Sequence, residues 1–160
     1  MTRIGVFSDS HGDERALTQL LGQMGYIDAA CFLGDVDADA EHLRLLLAQR
    51  PNRPPLYAVR GNNDYFSERP YDLLIELGGK RLFLTHGHRY GGPMSLSLLG
   101  AQLGAQAVLF GHTHIPTCEY DRGVLLLNPG SAGNYCRGGR ARASLLVIDG
   151  DAMRVEDVKL

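Results

Sequence analysis

Ile4-Gly5-Val6-Phe7-Ser8-Asp9-Ser10-His11-Gly12 opens with a short apolar run and turns abruptly polar. A β-prone run that ends in a polar, glycine-closed turn reads as a buried strand handing its last residues to a loop. The pattern then recurs. Ala29–Leu33 leads into Gly34-Asp35, and Leu56–Val59 leads into Arg60-Gly61-Asn62-Asn63-Asp64. Leu82–Leu84 leads into Thr85-His86-Gly87-His88, and Ala107–Phe110 into Gly111-His112-Thr113-His114. Five predicted strands therefore deliver Asp, Asn or His at their carboxyl ends. In an α/β sheet the turns at that edge converge on a crevice, which is where ligands bind.

Helical spacing fills the gaps between the runs. Ala16, Leu17, Leu20, Leu21 and Met24 predict one helix, with Asp13 as its N-cap. Leu43, Leu46 and Leu47 predict a second, stopped by Pro51, Pro54 and Pro55. Leu96, Leu99 and Leu103 predict a third, capped by Ser95 and ended at Gly104. The leucine faces are expected to be core. From Leu73 onward the chain turns toward strand. Leu73–Leu77 and Lys80–Leu84 flank Gly78-Gly79, a hairpin signal, and Asp149-Gly150-Asp151 should join a second pair, Ser144–Ile148 and Met153–Val158. Val124–Leu127 is a further strand candidate. The expected fold class is α/β, a single layered domain over residues 1–160.

Composition narrows the function classes. Of 160 residues 44% are hydrophobic and 21% charged, which is globular usage and not that of a disordered chain. A net charge of −2 speaks against a nucleic-acid coat or a membrane-surface protein. No apolar run approaches the roughly 18 residues of a membrane span, and Met1–Phe7 is too short for a signal peptide. Cys31, Cys118 and Cys136 show no paired spacing, so a disulfide framework is not expected and a cytoplasmic location is. Cys31 reads as an inert buried thiol.

Five of the six histidines fall in the post-strand turns, with two His-x-His pairs among them; only His42 sits on a helix, where it should be solvated. A lone histidine is usually structural, but this many beside Asp and Asn at strand ends point to a metal centre. The candidates Asp9, His11, Asp35, Asn62, His86, His112 and His114 number seven, too many for one four-coordinate ion. Two ions sharing a carboxylate would use them all, and such a pair clamps both oxygens of a displacement at phosphorus. Imidazole with carboxylate and amide oxygen suits Mn²⁺ first, with Ni²⁺, Co²⁺, Fe²⁺ or Zn²⁺ as alternatives.

The ordered set Asp-x-His-Gly, Gly-Asp, Gly-Asn-x-Asp, Thr-His-Gly-His and Gly-His-Thr-His resembles the calcineurin-like metallophosphoesterase superfamily. Asn128-Pro129-Gly130-Ser131 also matches its small, single-domain phosphodiesterase branch in bacteria and archaea. The resemblance implies two facing β-sheets flanked by helices, with metals at one end. It places one ion between Asp9, His11 and His114, a second between Asn62, His86 and His112, and Asp35 as the bridge together with a hydroxide. It implies hydrolysis of a small phosphodiester or nucleotide, with Asp35, Asn62 and His88 as candidate catalytic residues. Where many larger relatives carry a histidine after Gly-Asn as a candidate acid, this chain has Asn63. His88 is the conceivable substitute, or else a residue orienting a ligand.

The remaining polar residues have modest readings. Asp64 either orients the ligands or caps a turn. Arg60 is expected to pair with a surface carboxylate, and Arg137, Arg140 and Arg142 to form a solvated basic loop. The rival to an enzyme is a non-catalytic scaffold on the same fold, like the trafficking-complex subunit that resembles this branch. Such relatives tend to lose ligands, whereas all seven positions here hold competent types. A nucleic-acid-binding module using the arginine loop is disfavoured by the net charge, so no stable nucleic-acid complex is expected. A homo-oligomer stays open.

Overall fold

The computed structural model describes residues 1–134 and 139–160. Among these residues ten strands and three helices follow one another as β1 (Thr2–Phe7), α1 (Glu14–Gln23), β2 (Ala29–Phe32), α2 (Asp37–Ala48), β3 (Leu56–Ala58), β4 (Asp72–Leu77), β5 (Lys80–Thr85), α3 (Pro93–Gln102), β6 (Ala107–Leu109), β7 (Thr117–Asp121), β8 (Val124–Asn128), β9 (Arg142–Asp149) and β10 (Ala152–Lys159). They form two five-stranded sheets, ordered β10-β9-β1-β2-β3 and β4-β5-β6-β8-β7. In the first, β1, β2 and β3 run parallel. In the second, β5, β6 and β8 do. Both expected hairpins form, closing at Leu77↔Lys80 and Asp149↔Ala152.

Side-chain alternation along the strands sorts the core into three layers. Ile4, Val6, Leu82, Leu84, Leu125 and Leu146 lie in the layer contributed by both sheets. Phe7, Phe32 and Leu145 belong to the opposite face of the first sheet, packed on Leu17 and Leu20 of α1 and Leu43 and Leu47 of α2. Phe83, Val108 and Leu126 belong to the outer face of the second, packed on Leu96 of α3. The single-domain sandwich of two facing sheets flanked by helices is therefore what forms.

Three local expectations need correction. The third helix starts at Pro93 with Gly92 as N-cap, so Ser95 lies inside it; proline at the first helical turn has no amide to lose and its φ is already helical. His42 is only partly solvated. Its Nε2 lies 3.0 Å from Thr18 Oγ1 on α1, and its side chain is 25% exposed. An additional strand, β7, pairs antiparallel with β8 at the sheet edge. The Asp13 cap is as expected: its carboxylate accepts from Ala16 N at 3.0 Å.

A candidate metal centre at the strand ends

The parallel strands of both sheets end on the same side, and their ladders continue just far enough to fix the turns beyond them. Asp9 N donates to Gly34 O at 3.0 Å, and Gly111 N to His86 O at 3.0 Å. Asp9, His11, Asp35, His112 and His114 all have positive φ, between 49° and 68°. Left-handed backbone is uncommon in non-glycine residues and is retained where function demands the geometry. Here it re-aims each side chain two to five residues beyond the end of its strand. Glycine performs a different task at Gly61 and Gly111. A Cβ at Gly61 would collide with Asp35 Oδ1, and one at Gly111 with Ser8 Oγ. The glycines of Gly-Asn and Gly-His thus let backbone close over the two carboxylates.

Asp9 is fully buried. Its Oδ2 accepts from Ser8 Oγ at 2.6 Å and from His112 N at 3.0 Å. Its Oδ1 is buried with no hydrogen-bond partner. Around that oxygen stand His114 Nε2 at 3.2 Å and, at 3.8 Å each, His11 Nε2 and His86 Nε2. Asp35 turns one oxygen each way, Oδ2 to 3.8 Å from His11 Nε2 and Oδ1 to 3.5 Å from His86 Nε2. His86 Nδ1 lies 2.7 Å from Leu33 O, a group that can only accept, so the proton belongs on Nδ1 and Nε2 presents a lone pair. That lone pair faces Asn62 Oδ1 at 2.9 Å, and the same oxygen is 3.1 Å from His112 Nδ1.

Carboxylate oxygens and imidazole nitrogens converging on one place are a ligand set that could hold a cation. Ligand atoms of Asp9, His11 and His114, and likewise of Asp9, Asp35 and His86, lie within 4.8 Å of one another. Burial opposes ionisation of Asp9, yet His114, His86 and Ser8 outweigh it and hold the carboxyl below its ordinary value. Contact with Asp9, against the effect of burial, raises His114. The first shift keeps the Asp9 carboxylate negative, and the second reflects the pull of that negative charge on a neighbouring positive one.

All seven sequence-derived ligand candidates meet in this cluster. Asp9 lies within reach of both groups, and Asn62 and His112 stand at the more exposed rim. His88 lies beside the cluster, its ring centroid 5.4 Å from that of His86 and 6.1 Å from that of His112. Burial first, then the two neighbouring imidazoles, push His88 below the ordinary histidine value. The side chain of Asn63 donates to Asp35 Oδ2 at 2.8 Å, and its backbone N to Oδ1 at 3.2 Å.

Residues behind the cluster hold it. Asp64 accepts from Asp35 N, Val36 N, Asp37 N and Gly61 N at 2.7–3.1 Å, so it both caps α2 and ties two turns together. Asp39 accepts from Ser10 Oγ at 2.5 Å and Gly12 N at 2.7 Å, fixing the turn that carries His11. Asn128 donates to Gly111 O and Thr113 Oγ1, both at 3.0 Å, and Ser131 Oγ donates to Asp9 O at 2.6 Å. The role of Asp39 had no signal in the sequence, because an acidic residue in a first helical turn is ordinary. Arg60 has no carboxylate partner among the described residues. Its guanidinium donates to Asp64 O at 2.7 Å and stacks on Tyr71. Arg142 pairs with Asp157 at 2.9 Å, and Arg137 lies outside the described residues.

Residues 2–152 match the calcineurin-like phosphoesterase superfamily domain. The chain belongs to that superfamily. It is 32% identical over 130 residues to a probable metallophosphoesterase of Bacillus subtilis, YsnB, covering 79% of this chain and 72% of the relative. It is 37% identical over 108 residues to the phosphodiesterase YfcE of Escherichia coli, covering 61% of this chain and 54% of that protein. The fold matches that of Vps29 from Entamoeba histolytica crystallised with Zn²⁺, with a TM-score of 0.74, 22% identity and 99% of each chain covered. Superfamily membership agrees with an Asp/His cluster that could hold metal. No helix among the described residues is long and apolar enough to cross a membrane.

Proposed function

We propose that this superfamily member is a phosphodiesterase that works with two divalent ions, Mn²⁺ first among them, on small phosphodiesters or nucleotides. The observation that carries the reading is Asp35, a buried carboxylate with one oxygen toward His11 and the other toward His86. Asp9 and His114 would complete the first position with His11, and Asn62 and His112 the second with His86. Bound there, the ions would supply Lewis acidity toward phosphate oxygens and lower the pKa of coordinated water. The chain's own residues supply the frame. Leu33 O fixes the tautomer of His86, and Asp64 fixes the backbone that carries Asp35. Asn63 spends its amide on Asp35, which leaves His88 as the histidine outside the ligand set that could carry a proton at the site.

Vps29, a vacuolar protein sorting-associated protein, keeps the same fold, so fold alone does not argue for turnover. The competent residue type at all seven positions does. The test is metal analysis of the purified protein with a panel of phosphomono- and phosphodiesters, alongside Asp35→Ala and His88→Ala. Two ions per chain, chelation-sensitive diester cleavage restored by Mn²⁺, and a much larger loss in Asp35→Ala are expected. One ion or none with activity retained, or equal mild losses in the two variants, would sink the bridged arrangement. Stable partner binding without turnover of any diester would favour the scaffold.

A further inference from the structure

Beside His114 the surface dips into a hollow of about 270 Å³ lined by His114, Ser131, Gly139, Arg140, Arg142 and Lys159. It is continuous with the cluster, because His114 belongs to both. Among the described residues no acidic side chain lines it. The carboxylate that holds its cations stands behind them. Asp157 on β10 accepts from Arg142 Nη2 at 2.9 Å and lies 3.2 Å from Lys159 Nζ. Despite partial burial, the hydrogen bonds from Lys159 and Arg142 keep that carboxyl below its ordinary value, so it remains an anchor. One carboxylate thus restrains two cations, and Arg140 adds a third, exposed at the rim.

In a chain whose net charge is −2, this is a local excess of positive charge, placed next to the candidate reaction centre. Guanidinium and ammonium groups converging on a small polar hollow match phosphate oxygens, which accept several charge-assisted hydrogen bonds at once. At about 270 Å³ the hollow has room for a phosphate group.

We infer that this hollow is a subsite for a second phosphate of the substrate, one sugar unit or less from the phosphodiester held at the metal centre. The inference rests on the phosphodiesterase reading and narrows it. The preferred substrate class becomes diesters with an additional phosphate on the arm that passes His114, such as a nucleotide diester bearing a terminal phosphate.

The test uses a matched pair with one leaving group: thymidine 5′-(p-nitrophenyl phosphate) with and without a 3′-phosphate. At low salt the wild type should show a KM at least about 10-fold lower for the 3′-phosphorylated compound, an advantage that shrinks as salt screens the cations. In Arg140→Ala/Lys159→Ala the ratio of the two KM values should collapse to about 1. Lys80→Ala, which removes a charge paired with Asp151 elsewhere on the surface, should keep the wild-type ratio. Equal KM values in the wild type, or a ratio that survives in the double variant, would overturn the subsite. If neither compound is cleaved, the phosphodiesterase reading fails by itself, and calorimetry with inorganic pyrophosphate on the chelator-treated protein decides the subsite separately. Binding that the double variant loses supports it; no binding, or binding unchanged in that variant, refutes it.

Discussion

Asp64 shows how much of the site rests on a residue that touches no candidate metal position. Its two oxygens each take two backbone N–H groups, from Asp35 and Gly61 on one and from Val36 and Asp37 on the other. Removing the acceptor strands N–H groups in a buried place, and an amide replaces one acceptor oxygen by a donor facing donors. Asp64→Ala should therefore destabilise by about 3 kcal/mol, a fall in Tm of roughly 6–12 °C for a domain of this size. Asp64→Asn should lose activity along with stability, because Asp35 moves with its backbone. A melting curve within about 1 °C of wild type for both variants would contradict this. Asn63 carries the second residue-scale prediction. Its side chain bonds to Asp35 and offers the leaving group no acidic proton. Aryl diesters, whose phenolate departs unaided, should be cleaved far faster than alkyl diesters. General-acid help is worth about 10²–10⁴-fold, so Asn63→His should raise rates on poor leaving groups more than on aryl ones. The measurement is kcat/KM against leaving-group pKa. A flat dependence in the wild type, with chemistry rate-limiting, would mean that another group already donates.

Among the elements, α1 has the cap most plainly written in the sequence. Asp13 accepts from Ala16 N with one oxygen and from Asn134 N and Nδ2 with the other, at 3.0–3.1 Å. Asp13→Ala should cost about 1 kcal/mol, or roughly 2–4 °C in Tm. Burial acts against the carboxylate, but its bonds to Asn134 and Ala16 hold its pKa below 3.8 in the folded chain. A depressed folded pKa gives stability that is present above the unfolded value and lost as pH falls through the folded one. The gap between wild type and Asp13→Ala should accordingly narrow below about pH 4, and urea melts at pH 7 and pH 3 would show it. The contrast with α2 explains what the sequence did not disclose. Val36, its N-cap, has a positive φ and no side-chain hydrogen bond of its own, because the cap is Asp64, 28 residues away. A cap drawn from another turn leaves no local spacing to read. Strand β7, Thr-Cys-Glu-Tyr-Asp, is an edge strand whose side chains are mostly exposed, so it has no apolar alternation to detect. The buried strands and their metal-ligand turns were legible because an apolar run that stops at Asp or His is a local feature. Asp39 and Asp64 support those turns through tertiary contacts and were hidden or ambiguous for that reason.

At the scale of the whole molecule, two sheets are joined by a shared apolar layer, and at one end that layer gives way to the buried carboxylates of Asp9 and Asp35. Their oxygens belong to one set within 4.8 Å, together with His86. Without a cation, that arrangement places like charges close together where water is scarce, and leaves Asp9 Oδ1 without a partner. A fold that tolerates this should be distinctly less stable when chelated. A ligand that binds only the folded state adds about 2.7 kcal/mol at 100 times its dissociation constant, so saturating Mn²⁺ should raise Tm by roughly 5–10 °C over the chelated protein. Asp35→Asn makes the argument sharper, since it preserves shape while removing one of the two charges. In chelator the variant should melt at or above wild type, and in Mn²⁺ well below it, so that the order of the two proteins reverses with metal. Differential scanning calorimetry of both proteins in both conditions measures this directly. If Asp35→Asn melts lower than wild type even in chelator, the carboxylate is retained for its bonds to Asn63, and the destabilised strand-end cluster is not held in reserve for a cation.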